Sequence, residues 1–236
     1  MIWSELEVEK YVNNILPELQ FDEVFVMLMF FRSKYVSNTN ENMTLSRKLI
    51  REKDPKLVLS KIKKISSQKH FYMKTYEELP EKGKCIYIDP NPKSTIKGYN
   101  KFVKEVNSNL YSITKSLMNN NDVNFKYFKR LDMNLFSCIH SSRSRLIYYL
   151  IDFDIKDEDV LNNIYEKIEK YVKCIIETKN GYHMLINVTN ESIMKIFSIR
   201  KELENNDSIE FKKDFCNPVP GTLQAGFKVR FKFLSD

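Results

Sequence analysis

The chain has 236 residues, 42% hydrophobic and 13% aromatic, and a formal net charge of +7. That apolar content supports a sizeable core and excludes an intrinsically disordered chain, while the positive charge favours a polyanionic partner. The longest apolar stretch, residues 24–31, is too short to span a bilayer, and the sequence has no GxxxxGK[ST] phosphate loop, so neither a membrane span nor a P-loop ATPase is expected.

In chain order, residues 5–19 have the spacing of a helix, and residues 24–31 read as a buried strand or a short helix. Across residues 34–69, the cations Arg47, Lys48, Arg51, Lys53, Lys56, Lys61, Lys63 and Lys64 interleave with Leu57, Leu59, Ile62 and Ile65, the pattern of an amphipathic helix with a basic face. Residues 85–88 are expected as a short strand that stops at the turn Asp89-Pro90-Asn91-Pro92, followed by a helix over 96–117. The turn-rich residues 119–122 divide the chain into an N-terminal α/β module, 1–120, with a basic surface and a second module, 121–236, the two together forming one compact domain.

The second module reads as strand 145–154, helix 157–171, strand 173–178, an Asn180-Gly181 hairpin, strand 182–188, helix 191–203 and a final strand 227–234. The order β-α-β-β-α-β is the split β-α-β unit that RNA-recognition modules also use, so an α+β fold is expected. Asp157, Glu158 and Asp159 fall in the first turn of the first helix, where the dipole favours negative charge. In this topology the first strand lies between the third and the fourth. Its acidic end, Asp152 and Asp154, then meets Gly181-Tyr182-His183, and Asp214 arrives with the approach to the fourth strand; Asp207 and Glu210 lie nearby. Two acids at i, i+2 on a strand share one face and repel, and a divalent cation with oxygen ligands, Mg²⁺ or Mn²⁺, resolves that repulsion. A solvated strand end is the plainer alternative.

This ordered set, Leu150-Ile151-Asp152-Phe153-Asp154, then Gly181-Tyr182-His183, then Asp214 and Pro220-Gly221-Thr222, resembles the archaeo-eukaryotic primase superfamily, particularly its small primase-polymerase-like branch. The resemblance covers residues 146–233 and departs from the family where an arginine is common, at Cys216 and Asn217. It implies an N-terminal α/β module packed on an RRM-like catalytic module, and template-directed nucleotidyl transfer as DNA primase, polymerase or both. Asp152, Asp154 and Asp214 would be the catalytic metal ligands for Mg²⁺ or Mn²⁺, and His183 would bond the incoming triphosphate. The implied partners are DNA, as single-stranded template or primer-template, and nucleoside triphosphates, with a helicase or replication protein in trans. Such a protein would work in a host cytoplasm, from a mobile genetic element. A catalytically impaired nucleic-acid-binding protein of the same fold and a metal-dependent nuclease are the alternatives.

Around this set, Lys179, Lys228 and Arg230 are candidates for the triphosphate; Lys228 and Arg230 share one strand face. Arg143, Arg145, Lys61, Lys63 and Lys64 are candidates for nucleic-acid backbone. Glu177 could orient a ligand or pair with a lysine. His70 and His140 have no partner pattern and are expected to be structural. Cys85, Cys138, Cys174 and Cys216 form no CxxC or Cys/His pair, so reduced thiols in a cytosol-like compartment are expected and a structural zinc site is not.

Overall fold

The computed structural model describes residues 1–35, 43–68, 79–80, 83–204 and 206–235; His70 lies outside them. The fold is α+β, built on two larger antiparallel sheets and a third of only two strands. The N-terminal part contains α1 (Glu5–Asn14), β1 (Glu23–Phe31), β2 (Met43–Ile50), α2 (Pro55–Ser66), β3 (Lys84–Ser94), α3 (Thr95–Met118) and α4 (Leu131–His140). Then come β4 (Tyr148–Phe153), α5 (Glu158–Ile168), β5 (Val172–Glu177), β6 (Tyr182–Asn187), α6 (Asn190–Glu202) and β7 (Ile209–Lys212). Four short strands complete the chain: β8 (Asn217–Pro218), β9 (Leu223–Gln224), β10 (Phe227–Lys228) and β11 (Arg230–Leu234).

The basic segment after β1 divides into two elements. Asp54 caps α2 by accepting from the Lys56 amide, Pro55 pre-sets the first turn, and Val58, Leu59, Ile62 and Ile65 are buried. Residues 43–50 instead form the half-buried edge strand β2, paired with β1, where cations blunt an exposed edge. A second difference lies in β3, which does not stop at Asp89. Pairing with β1 jumps from Val26–Asp89 to Val24–Lys93, so Asp-Pro-Asn-Pro is absorbed as a bulge in which the prolines need donate nothing. Asn91 in that bulge joins the two sheets. Its Oδ1 accepts from the Ile147 and Tyr148 amides at 2.9 Å each, and its Nδ2 donates to the Tyr148 carbonyl at 3.0 Å.

The second sheet has the order β11-β5-β6-β4-β7. The β-α-β-β-α-β unit is present, but its fourth strand is β7 and not residues 227–234. That terminal segment pairs with β5 at the opposite edge as β11. Four residues are too few to stand out in the sequence, whereas the alternation of the last strand is obvious. On β4, Tyr149, Ile151 and Phe153 pack with α5 and α6 residues such as Leu161 and Ile196, while Tyr148 and Leu150 join the core of α1, α2 and β1. The next residue on that second face is Asp152, which therefore lies between the two sheets. The Pro220-Gly221-Thr222 turn, with Gly221 at φ +88°, holds the N-terminus through its carbonyl, which accepts from Trp3 and Ser4. No helix among the described residues is long and apolar enough to cross a membrane.

Candidate active site

Strand register builds the site. His183 on β6 and Glu210 on β7 both lie directly opposite Asp152 on β4. Opposed residues of antiparallel strands share a face, so the three form one row across adjacent strands, facing the other sheet. Lys212, two residues beyond Glu210, shares that face. Its ammonium donates to Asp152 Oδ2 at 2.7 Å and also pairs with Glu210, while His183 Nε2 lies 3.2 Å from Asp152 Oδ1. Burial works to raise the Asp152 pKa, but His183 and Lys212 outweigh it and hold the carboxyl well below the usual range. Asp154 comes next at the strand end, half-exposed and 3.6 Å from Lys34.

The first sheet orients the histidine. Asn217 on β8 is buried, and its Oδ1 lies 2.9 Å from His183 Nδ1, leaving its own Nδ2 without a partner. Two arrangements complete the chain of hydrogen bonds. An imidazolium donates to both Asp152 and Asn217, or a neutral ring donates from Nε2 while a turned-over Asn217 amide donates to Nδ1. Both fix the ring in the same plane. Gly181, at the hairpin before β6, is needed for close approach: a Cβ there would lie 1.8 Å from the Phe153 carbonyl oxygen. It does not use the positive φ that an Asn-Gly turn leads one to expect.

Asp152, Asp154, His183, Glu210 and Lys212 line a cleft of about 780 Å³, within the range of small-molecule sites. The N-terminal module lines it with Arg32, Lys34 and Tyr35, which are not among the residues expected from the sequence, although the Phe30-Phe31-Arg32-Ser33-Lys34-Tyr35 interleaving of aromatic and basic residues is visible there. The Arg32 guanidinium lies 5.4 Å from the Phe30 ring centre and 5.3 Å from that of Tyr87, and its buried Nε has no partner.

A second cluster also lines the cleft. Asp89 and Lys93 form an ion pair at 2.7 Å, both side chains 2% exposed. Burial pushes Asp89 up to about 6 and His140 down to about 4, and raises the Cys216 thiol. Asp89, His140 and Cys216 each present one ligand atom, all within 4.8 Å of one another, a group that could hold a metal ion. His140 thus has a cysteine neighbour at 3.9 Å that no spacing pattern reveals, because 76 residues separate the two. The Lys93 ammonium already engages the carboxylate of this triad. All four cysteines are free thiols.

The three acids expected at the metal centre, Asp152, Asp154 and Asp214, all line the cleft, and Glu210, which lines it too, stands opposite Asp152 in the row. Asp214 lies beyond the end of β7, 73% exposed, 3.0 Å from Arg143, and acts electrostatically on Asp89 and His140. β7 runs antiparallel to β4, so the start of β7, and not the segment beyond Lys212, sits beside the acidic end of β4. Lys179 sits at the rim, its ammonium 4.7 Å from the Tyr35 ring centre. Lys228 and Arg230 lie outside the cleft, the first against Trp3 and the second paired with Glu177 at 2.7 Å. Glu177 also pairs with Lys156, a structural role. Arg145 is bound to the buried Glu23 through both carboxylate oxygens. On α2, Lys63 pairs with Glu5, Lys61 donates to the Leu49 carbonyl, and Lys64 is exposed; none lines the cleft. No protein-family model, no curated protein and no solved structure matches the chain.

Proposed function

We propose that the protein is a template-directed nucleotidyl transferase of the primase-polymerase kind, acting on DNA and nucleoside triphosphates. The observation that carries this reading is the row His183–Asp152–Glu210 on three adjacent strands, with Asp154 beside it and cations opposite. Asp152, Asp154 and His183 stand in the order that the resemblance implies, with Glu210 in place of Asp214 in the row, and an N-terminal module packed on a β-α-β-β-α-β unit is in keeping with it.

Carboxylate oxygens suit Mg²⁺ or Mn²⁺, although among the described residues the donor atoms that lie within 4.8 Å of one another are those of Asp89, His140 and Cys216, so an ion would draw Asp152, Asp154 and Glu210 together. Asp152 is held ionised, Glu210 and Asp154 are within the same cleft, and the Lys212 ammonium bridging Asp152 and Glu210 marks a position where a cation is favourable. Asp152, Asp154 and Glu210 would hold the ion, which supplies Lewis-acid activation and charge neutralisation. In the transfer, a 3′-hydroxyl oxygen bonds to the α-phosphorus, the bond from that phosphorus to pyrophosphate breaks, and the hydroxyl proton is released. The chain's own contribution is to bind and orient: Arg32, Lys34 and Lys212 offer positive charge to the triphosphate, and His183 offers an N–H in a ring fixed by Asn217. The β3–β4 junction at Asn91 keeps the two walls in place.

The test is incubation with primer-template, labelled nucleotides and Mn²⁺. Extension that disappears in Asp152→Asn supports the reading. Degradation of the strand would assign a metal nuclease instead, and strand retention without chemistry a binding module.

A further inference from the structure

Helix α3 runs for 24 residues, yet only Gly98 is buried along it. Lys97, Lys101, Lys104, Ser108, Tyr111 and Lys115 are all exposed and recur at intervals of three or four, so they form one stripe about 27 Å long. The single acid of the helix, Glu105, is turned toward the Tyr127 hydroxyl and is half-buried. No described carboxylate pairs with any of the four lysines: Lys97 reaches the Ser144 carbonyl and Lys101 the Ser141 hydroxyl. Among the described residues their charge is therefore uncompensated. Ser141 itself lines the cleft, so the stripe begins at the cleft rim and leads away from it. Tyr111, 72% exposed, offers a ring face in line with the lysines.

We propose that this face of α3 is a track for single-stranded nucleic acid, leading the strand into the cleft. The strand's destination rests on the nucleotidyl-transfer reading; its binding does not. Lysines one helical turn apart meet successive phosphates, and an exposed tyrosine between them stacks a base without selecting it. A duplex would not present its bases to Tyr111. The α2 cations expected from the sequence are less suited, since Lys61 and Lys63 are already engaged.

The experiment measures binding of a fluorescent thymidine oligonucleotide to the full chain by anisotropy, across a salt series, with EDTA and no nucleotide. Replacing Lys97, Lys101, Lys104 and Lys115 with alanine should flatten the slope of log affinity against log salt by about 2.8, at roughly 0.7 per phosphate contact on a single strand. Tyr111→Ala should weaken binding by about tenfold with the slope unchanged. A charge-matched control removes Lys167, Lys170, Lys195 and Lys201 and should keep the wild-type slope. Circular dichroism checks that the exposed substitutions leave the helix intact. A wild-type slope in the α3 variant, an equal loss in the control, or displacement of the strand by polyglutamate charge for charge with Tyr111→Ala silent would each overturn the track. Because no metal or nucleotide is present, a protein that binds the strand through α3 but incorporates nothing would keep the track and refute the transfer reaction.

Discussion

The two walls of the cleft use the same residue types to opposite ends. On one wall Asp152 has a lysine and a histidine beside it, and on the other Asp89 has the same pair of neighbours. Asp152 stays ionised because strand register delivers both donors to its two oxygens, against the burial that opposes it. Asp89 is pushed up to about 6 because burial outweighs Lys93 and the Asn91 amide. Lys212 is about a third exposed and can leave, whereas Lys93 is 2% exposed and cannot without stranding a charge. The first wall is suited to exchanging cations. The second is suited to holding the junction of the two sheets.

The two walls should differ most in activity. Asp152→Asn should lower nucleotide incorporation on the order of a thousandfold, the scale of losing a main electrostatic element of a transition state, and should also lower the melting midpoint, because it removes the carboxylate that Lys212 and His183 share. Asp89→Asn should instead keep incorporation in the folded fraction while lowering the melting midpoint, because it strands the buried Lys93. The companion change Lys93→Met leaves Asp89 buried without its partner and should cost about 3–5 kcal/mol in denaturant unfolding. Combining the two should recover most of that loss, because no charge is then left stranded.

Lys212→Met is the intermediate case. Without divalent ions it should destabilise by about 1–2 kcal/mol, the scale of a partly exposed charge-assisted contact. Mn²⁺ should then raise its melting midpoint more than that of wild type, since the competing ammonium is gone. An unchanged response would mean that the ion, if bound, sits away from Asp152 and Glu210.

The smallest effect is a pH dependence in which the second wall opposes itself. His140 is held down to about 4, so its contribution to stability is lost as pH falls from about 6.5 toward 4. Asp89 is raised to about 6, so its contribution is greatest near pH 4 and is lost as pH rises through 6. The two nearly cancel in wild type. His140→Gln should therefore melt higher on acidification from 6 to 4, and Asp89→Asn lower, in the same buffers. Asp152, whose carboxyl is held low, adds a separate loss only below the ordinary carboxylate range.

Features that depend on local periodicity are legible in the sequence. The β4 run ending in Asp152 and Asp154, the Asp157 helix cap and the α2 apolar face all arise from spacing within a dozen residues. The third acid cannot be read that way. Choosing between Glu210 and Asp214 requires knowing which four residues form β7 and in which register they pair, a long-range decision taken by packing against Ile151 and Phe153. Arg230 misleads for the same reason: the last strand alternates well, but it closes the far edge of the sheet. The Asp89–His140–Cys216 group joins three distant segments, and no local pattern encodes it.

If the row across β6, β4 and β7 binds the divalent ion, manganese affinity should depend on Glu210 and not on Asp214, which Glu210→Gln and Asp214→Asn separate. Electron paramagnetic resonance of free Mn²⁺, titrated with each variant and with wild type, gives the affinity without any need for turnover. Glu210→Gln should weaken Mn²⁺ binding at least tenfold while Asp214→Asn leaves it within about twofold, since one lost carboxylate ligand costs more than the ~1.4 kcal/mol that a factor of ten represents. Full binding by Glu210→Gln, with binding lost in Asp214→Asn, would contradict binding at the row and move the metal to the opposite wall.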